Sequence, residues 1–307
     1  MIETSETYLD VEEPFALDES VVEYNYHDYS PIVGTNLNGV NGEIRIVVEN
    51  QDLFTHPHNS YLQVKGALVK ADGTSYANTD KISFVNNAVA YMFSSLRYQI
   101  GDKTVDEINY PGFASTMNGI ISYGPEDQAE LVNRGWFLDS GNADAADDTT
   151  NMIFKHKHGI LLSHTPKGSF AFTVPMSHLL GFFEDYTKIL YGVKQTLVLM
   201  RAADANAIHR ETGVAPGKIA LEQLSWYIPH VTPSDAQKNR LDQLVDTGAS
   251  VPVAFRHWYT DLLELPTACS STWRLVTTSS IEKPRWIIVG FQTARDEDQK
   301  KKSGRVR

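Results

Sequence analysis

The sequence predicts an all-β protein built as a two-sheet sandwich. Short runs in which apolar side chains occupy every second position recur along the chain, which is the pattern of strands with one buried face. Gly, Asn and Asp separate these runs, as tight turns between strands require. The pattern lacks the regular helices that would connect the strands of a parallel α/β sheet. Because the jelly roll is a common two-sheet arrangement, we predict a jelly-roll sandwich with short helical insertions.

The clearest predicted strands lie in the first third of the chain. The runs Ile44–Val48, Leu62–Leu68 and Leu96–Ile100 each present apolar side chains on one side. Asp72-Gly73 and Gly101-Asp102 follow the second and third runs, and such pairs are strong signals for tight hairpin turns. The last pair leads directly into a further alternating run, so the pattern indicates antiparallel neighbours.

Two segments have helical character. Glu126–Arg134 follows a proline and contains good helix formers, and Ser234–Val245 opens with a Pro-Ser pair typical of a helix start. We expect both helices to pack on the outside of the barrel. Between them, Ser140–Asn151 is rich in Gly, Ala, Asp and Thr without periodicity, which predicts an exposed mobile loop.

Charge is distributed unevenly. No Lys or Arg precedes Arg45, whereas ten acidic residues do, and the formal net charge is −11. A chain of this charge should repel a phosphate backbone. The end is the exception, because basic residues cluster there: Lys300, Lys301, Lys302, Arg305 and Arg307. This basic tail could contact nucleic acid weakly or act as a nuclear-import patch; a solvated terminus is the alternative.

The acidic N-terminal stretch contains a cluster of tyrosines, Tyr24, Tyr26 and Tyr29, in which we find no regular pattern. It predicts either an arm that orders on a neighbouring subunit or a disordered tail. The first residues lack the basic and apolar regions of a signal peptide, no apolar run reaches membrane-spanning length, and Cys269 is the single cysteine. We therefore expect a protein that folds in a reducing compartment, is not secreted and has no membrane span.

An ordered series of segments carries a family resemblance. Phe170, Phe172 and Val174 form a strand before Pro175, and a second strand follows a short connector. The segments are Pro175–Tyr186, Ile189–Gly192, Thr196–Arg201, Trp226–Val231 and Trp286–Phe291. They resemble the double jelly-roll major capsid proteins of Polinton-type (Maverick) elements and related DNA viruses, including endogenous copies in animal genomes. The resemblance spans most of the chain, from Tyr8 to Gln299.

This resemblance implies a structural protein and not an enzyme. It implies homotrimers of pseudo-hexagonal outline, tiled into an icosahedral capsid lattice, with a minor capsid (penton) protein as a further partner. It implies no catalytic residue, no cofactor, no metal site and no small-molecule substrate. The location implied is the virion if the gene is viral, and the cytoplasm or nucleus if it is a host-encoded copy.

The domain organisation follows from the same resemblance. We predict an acidic N-terminal arm at 1–40, a first jelly roll at 41–231, a helical connector at 232–250, a partial second roll at 251–295 and the basic tail at 296–307. The partial roll would contain three strands: Val253–Tyr259, Thr272–Thr277 and Trp286–Phe291. Family members continue well beyond the segment that matches Gly290–Arg295, so the second roll is predicted to be truncated, and its open edges would favour a partner.

Two other functions remain open. The first is a cupin-like metal enzyme, in which His-x-His pairs on extended segments would supply the ligands: His56, His58, His156 and His158, with His164 as a further nitrogen. No carboxylate follows His58 at cupin spacing, so surface histidines are the alternative. Nucleophilic and phosphate-binding motifs are weaker, because Cys269 has no neighbouring His and Gly213–Lys218 fails the P-loop spacing.

The second is a carbohydrate-binding sandwich. Four tryptophans fall in predicted strands: Trp226, Trp258, Trp273 and Trp286. Burial in the core or between subunits is the ordinary role of such residues. A sugar platform would instead need exposed aromatic rings beside paired polar groups, and sequence does not show exposure.

Overall fold

The computed structural model describes residues 20–49, 54–137, 146, 151–248, 250–264, 272–273, 284–291 and 298–300. Within these residues the chain forms two main β-sheets, one small sheet and short helices. The strands are β1 (Val21–Tyr29), β2 (Glu43–Val48), β3 (Phe54–Thr55), β4 (Tyr61–Lys70), β5 (Ile82–Phe84), β6 (Phe93–Ile100), β7 (Lys103–Asn109), β8 (Ser169–Pro175), β9 (Leu190–Tyr191), β10 (Gln195–Arg201), β11 (Ile208–Arg210) and β12 (Gly217–Pro233). The helices are α1 (Ala88–Tyr91), α2 (Pro111–Ser122), α3 (Gln128–Leu131), α4 (Met152–Ser163), α5 (Gly181–Asp185) and α6 (Asp235–Asp246).

The long strand β12 organises the first sheet. Its strand order is β8-β4-β12-β3-β9, and β1 pairs with the second half of β12. β4 runs antiparallel to β12, with Tyr61 opposite Tyr227 and Lys70 opposite Gly217. The second sheet has the order β2-β10-β6-β7, and β5 pairs with β11 in a small third sheet. The observed pairs are antiparallel, as the hairpin signals predict.

The core lies between the two main sheets. The predicted apolar sides of β2, β4 and β6 all face inward, which confirms these three strands. Trp226 of β12 is fully buried, with its ring centroid 6.1 Å from that of Tyr98 and 6.1 Å from that of Phe183, in edge-to-face geometry. Aromatic rings therefore join the two sheets.

Gly66 allows β4 and β12 to approach closely. A Cβ atom at this position would lie 2.3 Å from the carbonyl oxygen of Ala220, so only glycine fits without displacing the backbone. The pairing register shifts immediately afterwards, between Leu221 and Gln223. The missing side chain and the bulge thus occur at the same point of the ladder.

In the first half of β12, side chains cover the edge that faces away from β4. The backbone N–H of Ile219 donates to Asp204 Oδ2 at 2.8 Å, and that of Leu221 donates to Asn38 Oδ1 at 2.7 Å. Gly217 N–H donates to Gln299 Oε1 at 3.0 Å. Every second residue from Gly217 to Leu221 therefore donates its backbone N–H to a side chain. These side chains take the place of a neighbouring strand.

The helices agree in part with the sequence predictions. The predicted helix at Glu126–Arg134 is confirmed as α3 flanked by two short 3-10 turns, and the helix at Ser234–Val245 is confirmed as α6. Helices α2 and α4 were not predicted. α4 begins after Asn151, whose side chain accepts a hydrogen bond from the Phe154 N–H at 3.0 Å. Most of the predicted loop at Ser140–Asn151 lies outside the described residues.

Two predictions about the ends of the chain are wrong. Val21–Tyr29 does not form a disordered tail or an arm on a neighbour, because it pairs as β1 with β12 of its own chain. In the parts of 250–291 that the structure describes, no residue lies in a strand, so Val253–Tyr259 and Trp286–Phe291 are not the predicted strands. Only two residues of Thr272–Thr277 are described. A strand needs a neighbouring strand, and the described residues of these segments pair with none.

Candidate interaction surfaces

β1 brings a row of tyrosines to the outer face of the first sheet. Tyr61 stacks on Tyr227, with ring centroids 4.9 Å apart and planes 10° apart. Tyr26 lies 5.4 Å from Tyr61, and Tyr24 contacts Tyr26 edge-on at 6.1 Å. Tyr24 and Tyr26 remain 38% and 47% exposed. The row is formed by three neighbouring strands, β1, β12 and β4, and sequence analysis missed it because the contact depends on non-local pairing.

The opposite face of β1 is held by histidines. His27 stacks on His230 with ring centroids 3.8 Å apart, and the Tyr29 hydroxyl lies 2.9 Å from His230 Nε2. Burial, together with the nearby His27, lowers the pKa of His230 to about 4. The His230 ring is therefore neutral at pH 7, and a neutral ring can accept the tyrosine hydrogen bond.

His56 and His58 each bond to neighbouring groups. His56 Nδ1 lies 2.9 Å from the Tyr24 hydroxyl, and His56 Nε2 lies 3.2 Å from the carbonyl oxygen of Thr187. Burial lowers the pKa of His56. His58 Nδ1 lies 2.7 Å from the Phe183 carbonyl oxygen. These two histidines thus join a turn before β4 to β1 and to the α5 region.

The second His-x-His pair does not have the predicted geometry. His156 and His158 lie on helix α4 and not on an extended segment. Residues two apart on a helix do not share a face, so the pair cannot bind one metal ion together. His164 follows the end of α4, and Cys269 lies outside the described residues. Within the described part of the chain there is no group of three or more His, Cys, Asp or Glu residues placed to hold a metal ion.

The segment after α6 is anchored on α5 and β7 by charged groups. Arg256 Nη2 lies 2.6 Å from Asp185 Oδ1 and 3.0 Å from Glu184 Oε1. His257 Nδ1 lies 2.7 Å from Asp106 Oδ1, and this hydrogen bond raises the pKa of His257. The salt bridges and the hydrogen bond fix residues 256 and 257 to the first jelly roll.

On both sides of this anchor the described residues expose many large apolar side chains: Val251, Val253, Tyr259, Leu262, Leu263, Trp273, Trp286, Ile287, Ile288, Val289 and Phe291. Trp286 is 85% exposed, whereas Trp226 is buried and Trp258 packs against the core. Core burial is therefore confirmed for Trp226, whereas Trp273 and Trp286 are exposed in this chain, and their burial between subunits stays a prediction. A run of this kind is typical of a surface that another polypeptide covers.

The last described residues return to the first jelly roll. Gln299 Oε1 accepts hydrogen bonds at 3.0 Å from both Arg210 Nε and the Gly217 N–H. The Gln299 side chain also donates to the Gly217 carbonyl oxygen at 2.7 Å. Lys300 follows directly, and the rest of the basic tail lies outside the described residues. No helix in the described portions combines the length and apolar character needed to cross a membrane.

The two antiparallel sheets define a jelly-roll β-sandwich. A family model described as the double jelly roll-like domain matches residues 82–306. The match covers more than half of the chain, so the chain belongs to the double jelly roll-like domain family. This confirms the resemblance to double jelly-roll proteins and the predicted fold class, whereas the relation to Polinton-type elements stays a prediction. No curated protein sequence matches the chain.

Solved viral capsid proteins show similarity to this chain. VP54 of the virus PBCV-1, in a structure fitted into a reconstruction of the virophage Sputnik, aligns with a TM-score of 0.47 and 10% identity, covering 76% of this chain and 48% of that one. The Faustovirus major capsid protein aligns with a TM-score of 0.43 and 10% identity, covering 77% and 59%. The mavirus major capsid protein aligns with a TM-score of 0.39 and 10% identity, covering 74% and 50%. The chain thus spans about half the length of these capsid proteins.

Proposed function

We propose that this protein is a structural, capsid-like subunit that self-associates into trimeric capsomers of pseudo-hexagonal outline, which tile an icosahedral shell. Membership of the double jelly roll-like family is the observation that carries the proposal. The proposed origin is a Polinton or Maverick element, a related DNA virus or an endogenous copy, and the proposed location is the virion where the gene is viral. A minor capsid (penton) protein is the proposed further partner. The role is structural, and no catalytic turnover belongs to it.

The exposed apolar residues between 250 and 291 supply the surface for this association. Apolar and aromatic side chains contribute most of the affinity of obligate subunit interfaces, because their burial removes large areas from water. The proposed domain division keeps a first roll at 41–231, a connector at 232–250 and the beginning of a second roll at 251–295. Strand β1, which lies within the predicted N-terminal arm at 1–40, is added to the first roll because it pairs with β12. In a trimer, strands of a neighbouring subunit would pair with the last of these segments.

The net charge of −11 fits a shell that encloses DNA without binding it tightly. Contact with nucleic acid is proposed only for the basic tail. Salt-dependent DNA binding that disappears when residues 296–307 are removed would support this part of the proposal.

The mass of the purified full chain in solution tests the proposed function. Light scattering should show a trimer or a larger species, and negative-stain imaging of large species should show hexagonal capsomers or shells. A monomer at all concentrations would contradict self-association of this chain.

A further inference from the structure

A groove of about 470 Å³ opens beside the tyrosine row. Tyr26 and Tyr61 form one wall, and the end of β8 contributes Thr173 and Pro175 to the groove lining. Glu130 of α3, with Asn133 and Arg134 of the turn that follows it, also lines the groove. The volume lies in the range of roughly 300–1,000 Å³ that small-molecule sites occupy.

The lining of the groove is polar and aromatic. The lining residues are Tyr26, His58, Asn59, Ser60, Tyr61, Glu130, Asn133, Arg134, Thr173, Pro175 and Ser177. None of them is an aliphatic hydrophobic residue, so the groove does not offer the apolar surface that a lipid or a hydrophobic peptide would need. Apart from the two tyrosines, every lining residue except Pro175 has a side chain with a hydrogen-bonding group.

Several of these polar groups are available. Within the part of the chain that the structure describes, the amide of Asn133 and the hydroxyls of Thr173 and Ser177 make no hydrogen bond to another residue. Arg134 Nη2 lies 3.4 Å from Glu130 Oε2, which balances the charge of the guanidinium. The groove therefore combines free neutral donors and acceptors with little net charge.

The tyrosine wall is held in place before any ligand arrives. The ring of Tyr61 is packed between Tyr26 and Tyr227, at centroid distances of 5.4 Å and 4.9 Å. Tyr26 packs against this fixed ring, so it loses little conformational entropy when it contacts a ligand. Neutral sugars match such a site, because the C–H face of a pyranose packs on an aromatic ring while its hydroxyl groups bond to amides and hydroxyls at the rim.

We infer that this groove binds a short neutral glycan, with the exposed ring of Tyr26 contacting the face of one pyranose ring and Tyr61 supporting Tyr26 from beside it. Asn133, Thr173 and Ser177 hydrogen-bond its hydroxyl groups. The inference concerns the outer face of the first sheet and does not depend on the proposed capsid role. It adds a recognition function to the protein, directed at glycans of a cell surface or a glycoprotein.

Saturation-transfer NMR on the purified full chain tests the inference. The probes are the methyl glycosides of glucose, galactose, mannose and N-acetylglucosamine, together with lactose and cellobiose. At least one probe should receive saturation on its ring protons and bind with a dissociation constant of about millimolar or tighter. Tyr26→Ala should weaken that binding by about tenfold, because it removes an aromatic contact. Asn133→Ala should weaken it severalfold.

Two further variants separate stacking from other effects. Tyr26→Phe keeps the ring and should stay within about threefold of the unchanged chain, since loss of one exposed hydroxyl has a small effect. Tyr110→Ala is the matched control, because Tyr110 is 45% exposed, close to the 47% of Tyr26, but does not line the groove. It should bind the probe as the unchanged chain does.

The inference is overturned if no neutral probe binds, or if Tyr26→Ala and Tyr110→Ala bind alike. It is also overturned if Tyr26→Ala leaves sugar binding intact but lowers the mass in solution, which would make the tyrosine row a subunit contact. A monomeric chain that still binds a probe through Tyr26 would contradict the proposed function and support the groove. The two proposals can therefore fail separately.

Discussion

Gly181 lets the segment after α6 lie directly against α5. A methyl group at this position would lie 1.8 Å from the carbonyl oxygen of Arg256, and a backbone oxygen cannot rotate away as a side chain can. Gly181→Ala should therefore displace residues 250–264 from the first jelly roll. Amide hydrogen exchange in this segment should become much faster, because its anchor is lost, while exchange in β4 and β12 stays slow.

Gly159 provides the matched control for this prediction. It lies inside helix α4, and no atom outside its own neighbourhood comes within 4 Å of a Cβ built there. Gly159→Ala should stabilise the protein by about 0.5–1 kcal/mol, since alanine is the better helix former. Unchanged exchange at 250–264 in Gly181→Ala would show that the contact with Arg256 does not hold the segment.

His178 makes the stability of the fold sensitive to acid. It is 4% exposed, its Nδ1 is hydrogen-bonded to the Tyr123 hydroxyl, and burial lowers its pKa to about 3. Below pH 6.5 the unfolded chain binds a proton at this ring and the folded chain does not. The stabilisation by the neutral ring is therefore complete above pH 6.5 and is lost as the pH falls towards 3.

Thermal melting at pH 7.5, 6.0 and 5.0 tests this prediction. The melting temperature of the unchanged chain should fall by several degrees more than that of His178→Gln, whose side chain does not titrate. The replacement should also lower the melting temperature at pH 7.5, because a packed ring is lost. The exposed His164 supplies the control, and His164→Gln should follow the unchanged chain. Parallel pH profiles of the melting temperature for all three proteins would exclude His178 as the source of the acid sensitivity.

His257 contributes a pH dependence of stability with the opposite sign to that of His178. Its hydrogen bond to Asp106 raises its pKa, so its contribution is complete below pH 6.5 and is lost as the pH rises through the folded-state value. Acid therefore weakens the core around His178 while it keeps the anchor of residues 250–264. The two histidines can be separated by measuring global melting and local exchange on the same samples.

At the scale of elements, β12 shows how a sheet edge is closed without another strand. Asn38 accepts from the Leu221 N–H at 2.7 Å and donates to the Leu221 carbonyl oxygen at 3.0 Å, so one amide takes the place of a strand neighbour. Asn38→Ala should lower the free energy of unfolding by about 1–2 kcal/mol, because two backbone groups lose their partner. Urea denaturation measures the change.

Asn239 is the control for this variant, because it lies exposed on α6. Asn239→Ala should change the free energy of unfolding by less than about 0.5 kcal/mol. If Asn38→Ala changes the free energy of unfolding as little as Asn239→Ala does, water replaces the Asn38 amide at the edge of β12. The side chain is then not needed to close that edge.

The elements also show where sequence reasoning succeeds. β2, β4 and β6 were predictable because each buries one side, and this period-two pattern is local. The sequence does not predict β1, because its tyrosines face outward and its strand conformation depends on pairing with β12, about 200 residues away. Trp286–Phe291 shows the converse error, since its composition favours a strand but the described structure offers it no neighbour. Helix α2 contains glycines and β-branched residues, which conceal it from propensity arguments.

For the candidate sites, too, the sequence predicts local patterns and misses contacts that depend on non-local pairing. The His-x-His spacing suggested a metal site only on the assumption of extended backbone, and α4 removes that assumption for His156 and His158. The tryptophans offer a sugar platform only as the alternative to burial, whereas the exposed aromatic row consists of tyrosines brought together by three strands. No local signal in the sequence places Tyr26 beside Tyr61, because their contact depends on the register of β1 and β4 along β12.

At the scale of the whole molecule, the exposed apolar residues are the feature that a solitary chain does not explain. Ile288 is 47% exposed within a run in which Trp286 and Phe291 are more exposed still. If this run is covered in the proposed trimer, Ile288→Lys should abolish assembly, because a buried unpaired charge costs several kcal/mol. The melting temperature of dilute monomer should hardly change, since the side chain already faces water there.

Val22 offers the matched control for Ile288, because it is 71% exposed but lies on β1. Light scattering should show the smaller mass for Ile288→Lys and the unchanged mass for Val22→Lys. If both variants assemble normally, the apolar run does not form the interface. If both remain monomeric, added charge alone is not the cause, because each lysine reduces the net negative charge of −11 and thus reduces mutual repulsion between subunits. In that case β1 and the apolar run would both belong to the subunit contact.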